Sequence, residues 1–85
     1  MLMVHPNPTR DGRLTVQLEG LALNEAQVRS EVYDMLGALL YQQVLSCSGG
    51  ALRQVLQLPA GLRSGTYLLV LQTDTRAYQR RVVVE

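Results

Sequence analysis

Apolar and polar residues alternate along much of this chain with the period of a strand. Leu14, Val16 and Leu18 alternate with Arg13, Thr15, Gln17 and Glu19, which predicts a strand with one wet face. Leu52, Leu56 and Leu58 share one parity with Gln54 between them, while Arg53, Val55 and Gln57 fill the other. That segment reads as a second half-buried strand ending at Pro59, and residues 39–45 resemble it less cleanly. Residues 67–71 are apolar on both parities, which predicts a central strand covered on both faces and the densest packing of the core. After Asp74-Thr75 the chain returns through residues 76–84, and so short a connection predicts an antiparallel hairpin. The turn has no glycine for a tight primed geometry, so a loop of about three to five residues is expected. On the returning strand Tyr78, Arg80, Val82 and Val84 share one face; Ala77, Gln79, Arg81 and Val83 share the other.

Turn residues punctuate these segments at short intervals, as at Asp11-Gly12, Gly20, Gly37, Ser48-Gly49-Gly50, Pro59-Ala60-Gly61 and Ser64-Gly65. Such spacing suits several short strands. The middle is ambiguous. Asn24 and Gln27 are placed as a helix cap and its reciprocal partner, and Val28, Val32, Met35 and Leu39 would form a helical stripe closed by Gly37. The strand reading instead turns Val28, Ser30 and Val32 inward and makes residues 33–37 a turn.

Length and charge narrow the class. Eighty-five residues form one domain, since a chain of this size buries only about 60 to 65% of its unfolded surface. The 47% apolar content supports folding. All eight cations are arginine, the net charge is +1, and only Arg76, Arg80 and Arg81 cluster, which argues against nucleic acid as the main partner. The apolar runs are too short for a membrane-spanning helix. The N-terminus lacks the basic region, apolar stretch and cleavage site of a signal peptide, so either a cytoplasmic protein or a piece of a larger one is expected.

Catalytic chemistry finds little support. Cys47 is alone, so neither an internal disulfide nor a cysteine-based metal site is expected, and it sits in a polar loop without a base. His5 is the one imidazole available to it, which leaves a thiol enzyme as a third-ranked reading. The carboxylates Asp11, Glu19, Glu25, Glu31, Asp34, Asp74 and Glu85 lack the pairing of a glycosidase and the density of a calcium loop. No glycine-rich phosphate loop precedes a helix, and no cofactor is implied.

Four short motifs occur in order. They are Pro6-Asn7-Pro8, Val32-Tyr33-Asp34-Met35-Leu36-Gly37, the run from Leu62 through Gly65 and Tyr67 to Leu69, and Arg80-Arg81-Val82-Val83. Together they resemble the type A C-terminal sorting domain of the type IX (Por) secretion system, over essentially the whole chain. The resemblance implies an immunoglobulin-like antiparallel β-sandwich of about seven short strands, which favours strand in the middle segment. It implies a domain at the end of an exported cargo, carried through the periplasm, read by the outer-membrane secretion machinery and removed by a sortase-like peptidase. The cargo would precede it in cis, in a larger secreted or cell-surface protein.

By the same resemblance Pro6, Asn7 and Pro8 form the opening motif, where linker becomes first strand. Tyr33, Asp34 and Gly37 form the middle motif, with a positive φ expected at Gly37 and amide contacts at Asp34. Gly65 and Tyr67 form the third, Gly65 allowing close backbone approach and Tyr67 a packed ring. Arg80, Arg81, Val82 and Val83 form the terminal motif, where Lys is more usual, and capture of that strand's free edge offers a physical route to recognition. His5 stands where an aromatic residue is common in the family. The runner-up is a generic immunoglobulin-like or fibronectin-like adhesion or spacer module of a cell-surface protein.

Overall fold

The computed structural model describes residues 1–85 and contains seven strands: β1 (Leu2–His5), β2 (Arg13–Glu19), β3 (Gln27–Tyr33), β4 (Leu39–Ser46), β5 (Ala51–Gln57), β6 (Gly65–Gln72) and β7 (Ala77–Val84). They form two antiparallel sheets, β1-β2-β5 and β4-β3-β6-β7. This is an immunoglobulin-like sandwich in which the fourth strand pairs with β3 rather than with β5, the variation that distinguishes it from the constant-type arrangement.

Alternation places the core. Leu14, Val16 and Leu18 from β2, Leu52 and Leu56 from β5, Val28 and Val32 from β3, Leu69 and Leu71 from β6, and Val82 and Val84 from β7 are all buried. Each contributes on the order of 1.5 to 3 kcal/mol by leaving water. The middle segment is strand because Val28, Ser30 and Val32 face that core while Gln27 and Arg29 face out, and β3 is hydrogen-bonded on both sides. Ser30 is fully buried yet satisfied, its hydroxyl donating to the Gln43 carbonyl at 2.7 Å. The helical stripe fails because it would leave β4 with no partner strand and β6 with β7 alone.

Three expectations change. The segment 67–71 does lie inside its sheet, but only Tyr67, Leu69 and Leu71 are buried; Leu68 and Val70 are half-exposed on the outward face. Helices or a third sheet would be needed to cover that face, and the chain has neither. Pro6-Asn7-Pro8 does not open the first strand, because β1 already precedes it and pairs with β2 from Leu2↔Leu18 to His5↔Thr15. The middle turn begins after Tyr33, which belongs to β3. The β6–β7 connection agrees with expectation: Gln72 pairs with Ala77, leaving residues 73–76 as a four-residue loop closed by Thr73 N donating to Arg76 O at 2.8 Å.

Tyr67 is the one large ring of the core, and its hydroxyl donates to the Arg63 carbonyl four residues upstream at 2.7 Å. That is the tyrosine-corner arrangement of such sandwiches, which fixes the entry of the chain into β6. The β1–β2 connection is fixed by an acid. The Asp11 carboxylate accepts from the Arg13 amide at 3.0 Å and from the Thr9 hydroxyl at 3.3 Å. The Arg13 amide holds the Asp11 carboxyl below its ordinary value of 3.8. A depressed folded-state value stabilises above the unfolded value, and that contribution is lost as pH falls through 3.8 and below. Asp11→Asn is therefore expected to weaken the dependence of melting temperature on pH in that acid window. An unchanged slope would count against the role assigned to this turn.

Candidate functional site

The sequence motifs are far apart along the chain, and sheet pairing brings most of them to one end of the four-stranded sheet. Tyr33 pairs with Leu39 on one side and Leu68 on the other, and Leu68 pairs with Arg81. Residues 33, 39, 68 and 81 thus form a row across all four strands, on the face turned away from the core. Val83 lies one step along that face, opposite Thr66, and Gln79 lies one step the other way, opposite Val70.

The turn at residues 34–38 overhangs this row. Asp34 Oδ1 accepts from the amides of Leu36 and Ala38, both at 2.9 Å, while Asp34 N donates to Ala38 O at 3.0 Å and Gly37 N to Asp34 O at 3.1 Å. Gly37 has φ 90°, a conformation side chains rarely adopt. So fixed a turn holds Met35 and Leu36 out in water, Leu36 at 96% exposure. Between turn and sheet lies a shallow concavity of about 440 Å³, lined by Tyr33, Asp34, Met35, Leu68, Val70 and Gln79 among others. The lining is mixed, with Met35, Leu68 and Val70 beside Tyr33, Asp34 and Gln79.

Its electrostatics are simple. The two ion pairs of the molecule are Arg10 with Glu85 and Arg29 with Glu31, so Arg81 at the margin of the patch has no carboxylate partner. Crowding by its neighbours raises the Tyr33 phenol above its ordinary 10.0, and the Glu31 carboxylate beside it adds to the effect. Tyr33 is therefore a neutral donor at physiological pH.

The terminal motif splits, as alternation requires. Val82 is fully buried, while Arg81 and Val83 face out on the row just described. Arg80 shares the parity of Val82 but reaches across the sandwich edge, where its Nη2 donates to the Leu2 carbonyl at 2.6 Å and ties β7 to β1. Over the terminal motif, from Arg81 to Glu85, strand capture at the outer edge of β7 is closed off, contrary to expectation. Asn7 Nδ2 donates to Arg81 O at 2.8 Å, and Val83 N donates to Asn7 Oδ1 at 2.9 Å. Thr9 N then donates to Val83 O and Glu85 N to Thr9 O, both at 2.9 Å. The opening motif is thus a clamp on the terminal motif, bonded across 74 to 76 residues of sequence.

Pro6 and Pro8 flank that clamp, exposed, each with its preceding peptide bond cis. Thr9 was not singled out by sequence, yet it is fully buried, with its hydroxyl also donating to Arg13 O at 3.0 Å. A threonine directly after Pro-Asn-Pro, ahead of a charged turn, is the available signal. Gly65 departs from its expected reason: a side chain there would meet nothing within 4 Å, so close approach does not explain it. It stands opposite Val84 at the start of β6, two residues before Tyr67.

The thiol reading has no geometry behind it. Cys47 follows β4, packs partly against the core and donates its S–H to Glu25 O at 3.3 Å; His5 is exposed on β1 in the other sheet.

No curated protein matches the chain in sequence. Among solved structures, one from work on PorZ aligns with a TM-score of 0.67 at 22% identity, over 99% of this chain. PorZ is described there as an essential bacterial surface component of the type-IX secretion system of Porphyromonas gingivalis, and the 85 residues span 11% of that chain. At this identity the likeness shows the fold. The model of the family described as "Secretion system C-terminal sorting domain" matches residues 3–85, from within β1 to the end of β7, and the chain belongs to that family of type IX secretion sorting signals.

Proposed function

We propose that this domain acts as a type A sorting signal, and that what the secretion machinery reads is the outward face of β4-β3-β6-β7 around Arg81, Val83, Tyr33 and the turn at residues 34–38. The observation that carries the reading is the clamp. Asn7 spends both ends of its amide holding the backbone of Arg81 and Val83, so the domain fixes two outward side chains beside an exposed apolar row. The remaining motif residues build that platform: Tyr67 and Val82 from the core, Gly65 at the start of β6, Gly37 and Asp34 in the turn.

The wider role follows the family. A cargo precedes the domain in cis, the precursor crosses the periplasm, and the outer-membrane machinery passes it to the surface or the medium. A sortase-like peptidase then removes the domain. The machinery's complementary surface is apolar with a carboxylate, since the exposed row offers Leu39, Leu68 and an unpaired guanidinium. The adhesion-module reading would be favoured by an apolar patch away from the last hairpin; the patch observed is built partly on that hairpin.

Fusing residues 1–85 to a reporter exported to the periplasm, in a bacterium with this pathway, is expected to deliver the reporter to the surface or medium. Retention of the intact, folded fusion in the periplasm would overturn the reading. Deleting residues 80–85 is a poor control, because it removes Val82 and Val84 from the core and unfolds the signal it is meant to probe.

A further inference from the structure

The sandwich has four sheet edges, and three of them are protected. β1 is only four residues long, runs into Pro6, and has its Leu2 carbonyl occupied by Arg80. β7 is clamped by Asn7 and Thr9 over its last residues and carries Arg80 and Arg81. β5 carries Arg53 in its centre, and at its start Ala51 N donates to Ser48 O at 3.2 Å while Ser48 N donates to Ala51 O at 3.1 Å, which occupies the outward backbone groups there. Charge, shortness and occupation are the usual means by which proteins prevent edges from pairing.

β4 has none of these. Its eight residues, Leu39 to Ser46, contain no charge, no proline and no glycine, and Val44 stands 56% exposed. The irregularity in its pairing with β3 falls at Leu40, between Tyr33↔Leu39 and Val32↔Tyr41, so residues 41–46 form a regular stretch. The hydrogen-bond phase of that stretch is fixed by Cys47 N donating to Ala26 O at 3.0 Å, in register with Val28↔Leu45. Odd-numbered residues therefore turn their backbone groups toward β3, and Gln42, Val44 and Ser46 turn theirs outward, unpaired.

We infer that β4 pairs antiparallel with β4 of a second copy of this chain, joining two four-stranded sheets into one of eight. Neutrality selects that occupant. A charged strand would find no counter-charge in residues 39–46, whereas the same strand inverted meets itself with no like charges opposed. A two-fold axis at Val44 sets Val44 against Val44 of the second copy and Gln42 against its Ser46. That register closes about six backbone hydrogen bonds, and at the three bonded positions it sets valine against valine and polar Gln42 against polar Ser46.

The test is sedimentation of the 85-residue protein under a reductant, which keeps Cys47 from linking copies, together with amide exchange. The expected result is a mass that doubles with concentration, with concentration-dependent protection at Gln42, Val44 and Ser46 and none at Gln43. Val44→Lys sets two ammonium groups face to face and is expected to weaken association at least about tenfold, with melting temperature retained because the site is exposed. Val55→Lys, a matching change on β5, is expected to leave association unchanged. A protein that stays monomeric up to about 1 mM, association that survives Val44→Lys, or equal loss with both variants would each overturn the inference.

Discussion

Reversing the charge at Arg81 is expected to abolish export of a fused reporter while leaving the domain folded. Arg81 is exposed, enters no ion pair, and its side chain makes no hydrogen bond in the structure. Changes at such positions stay within about 0.5 kcal/mol of neutral. On the proposed reading, a carboxylate at this position would face the carboxylate assigned to the machinery's surface, and opposed like charges across a contact cost several kcal/mol. Arg80→Glu makes the same change one residue earlier and separates the two roles. It loses the charge-assisted bond to Leu2 O that ties β7 to β1, costing about 1 kcal/mol at a partly exposed site, so its effect falls on melting temperature. Arg81→Lys keeps the charge and is expected to keep export. Export fraction measured beside melting temperature decides the matter: Arg81→Glu exporting like the parent would remove this face from the recognition surface.

Period-two alternation made β2, β5 and β7 legible, because Leu14, Val16 and Leu18, or Val82 and Val84, can satisfy only one face of a sheet. β3 was not separable from a helix by pattern alone. Val28 and Val32 are four apart, which serves a helical stripe and a strand equally, and the decision rests on β4 and β6 bonding to its two sides. β1 was invisible, since Leu2 to His5 is too short to display alternation and draws its stability from pairing with β2. Leu68 and Val70 misled in the opposite direction. Apolar residues on both parities usually mean cover on both faces, and here the second face is exposed. The motif residues could be located one by one through the family resemblance, but their convergence could not, because register across β3, β6 and β7 is a non-local property. The Asn7 clamp is the extreme case, joining positions at opposite ends of the sequence.

That clamp makes Asn7→Ala the substitution with the largest expected effect among exposed residues. Two hydrogen bonds are lost together, and the Arg81 carbonyl and Val83 amide are left to find water at the margin of a packed edge. At about 0.5 to 1.5 kcal/mol each, the loss is about 1 to 3 kcal/mol, from a total of roughly 4 to 13 for a domain of this size. For a chain this short that corresponds to a melting temperature lower by about 5 to 15 °C. Asn7→Asp sharpens the test. The carboxylate can still accept from Val83 N, but it has no proton to give Arg81 and presents negative charge to that carbonyl. It is expected to lose stability as alanine does, even though its shape is nearly that of asparagine. If an ordinary polar contact were enough, aspartate would substitute freely; the amide is required because one side chain must donate and accept on neighbouring groups of the same strand. Amide exchange at Val83 is expected to accelerate in the alanine variant, which leaves that amide without its acceptor, and exchange at Glu85 in both variants, since the Thr9 bonds that follow lose their anchor. Export should fall with it even at temperatures where the core remains folded, because Arg81 and Val83 would no longer be held in one orientation. Fast exchange at Val83 with export undiminished would show that the clamp serves stability alone.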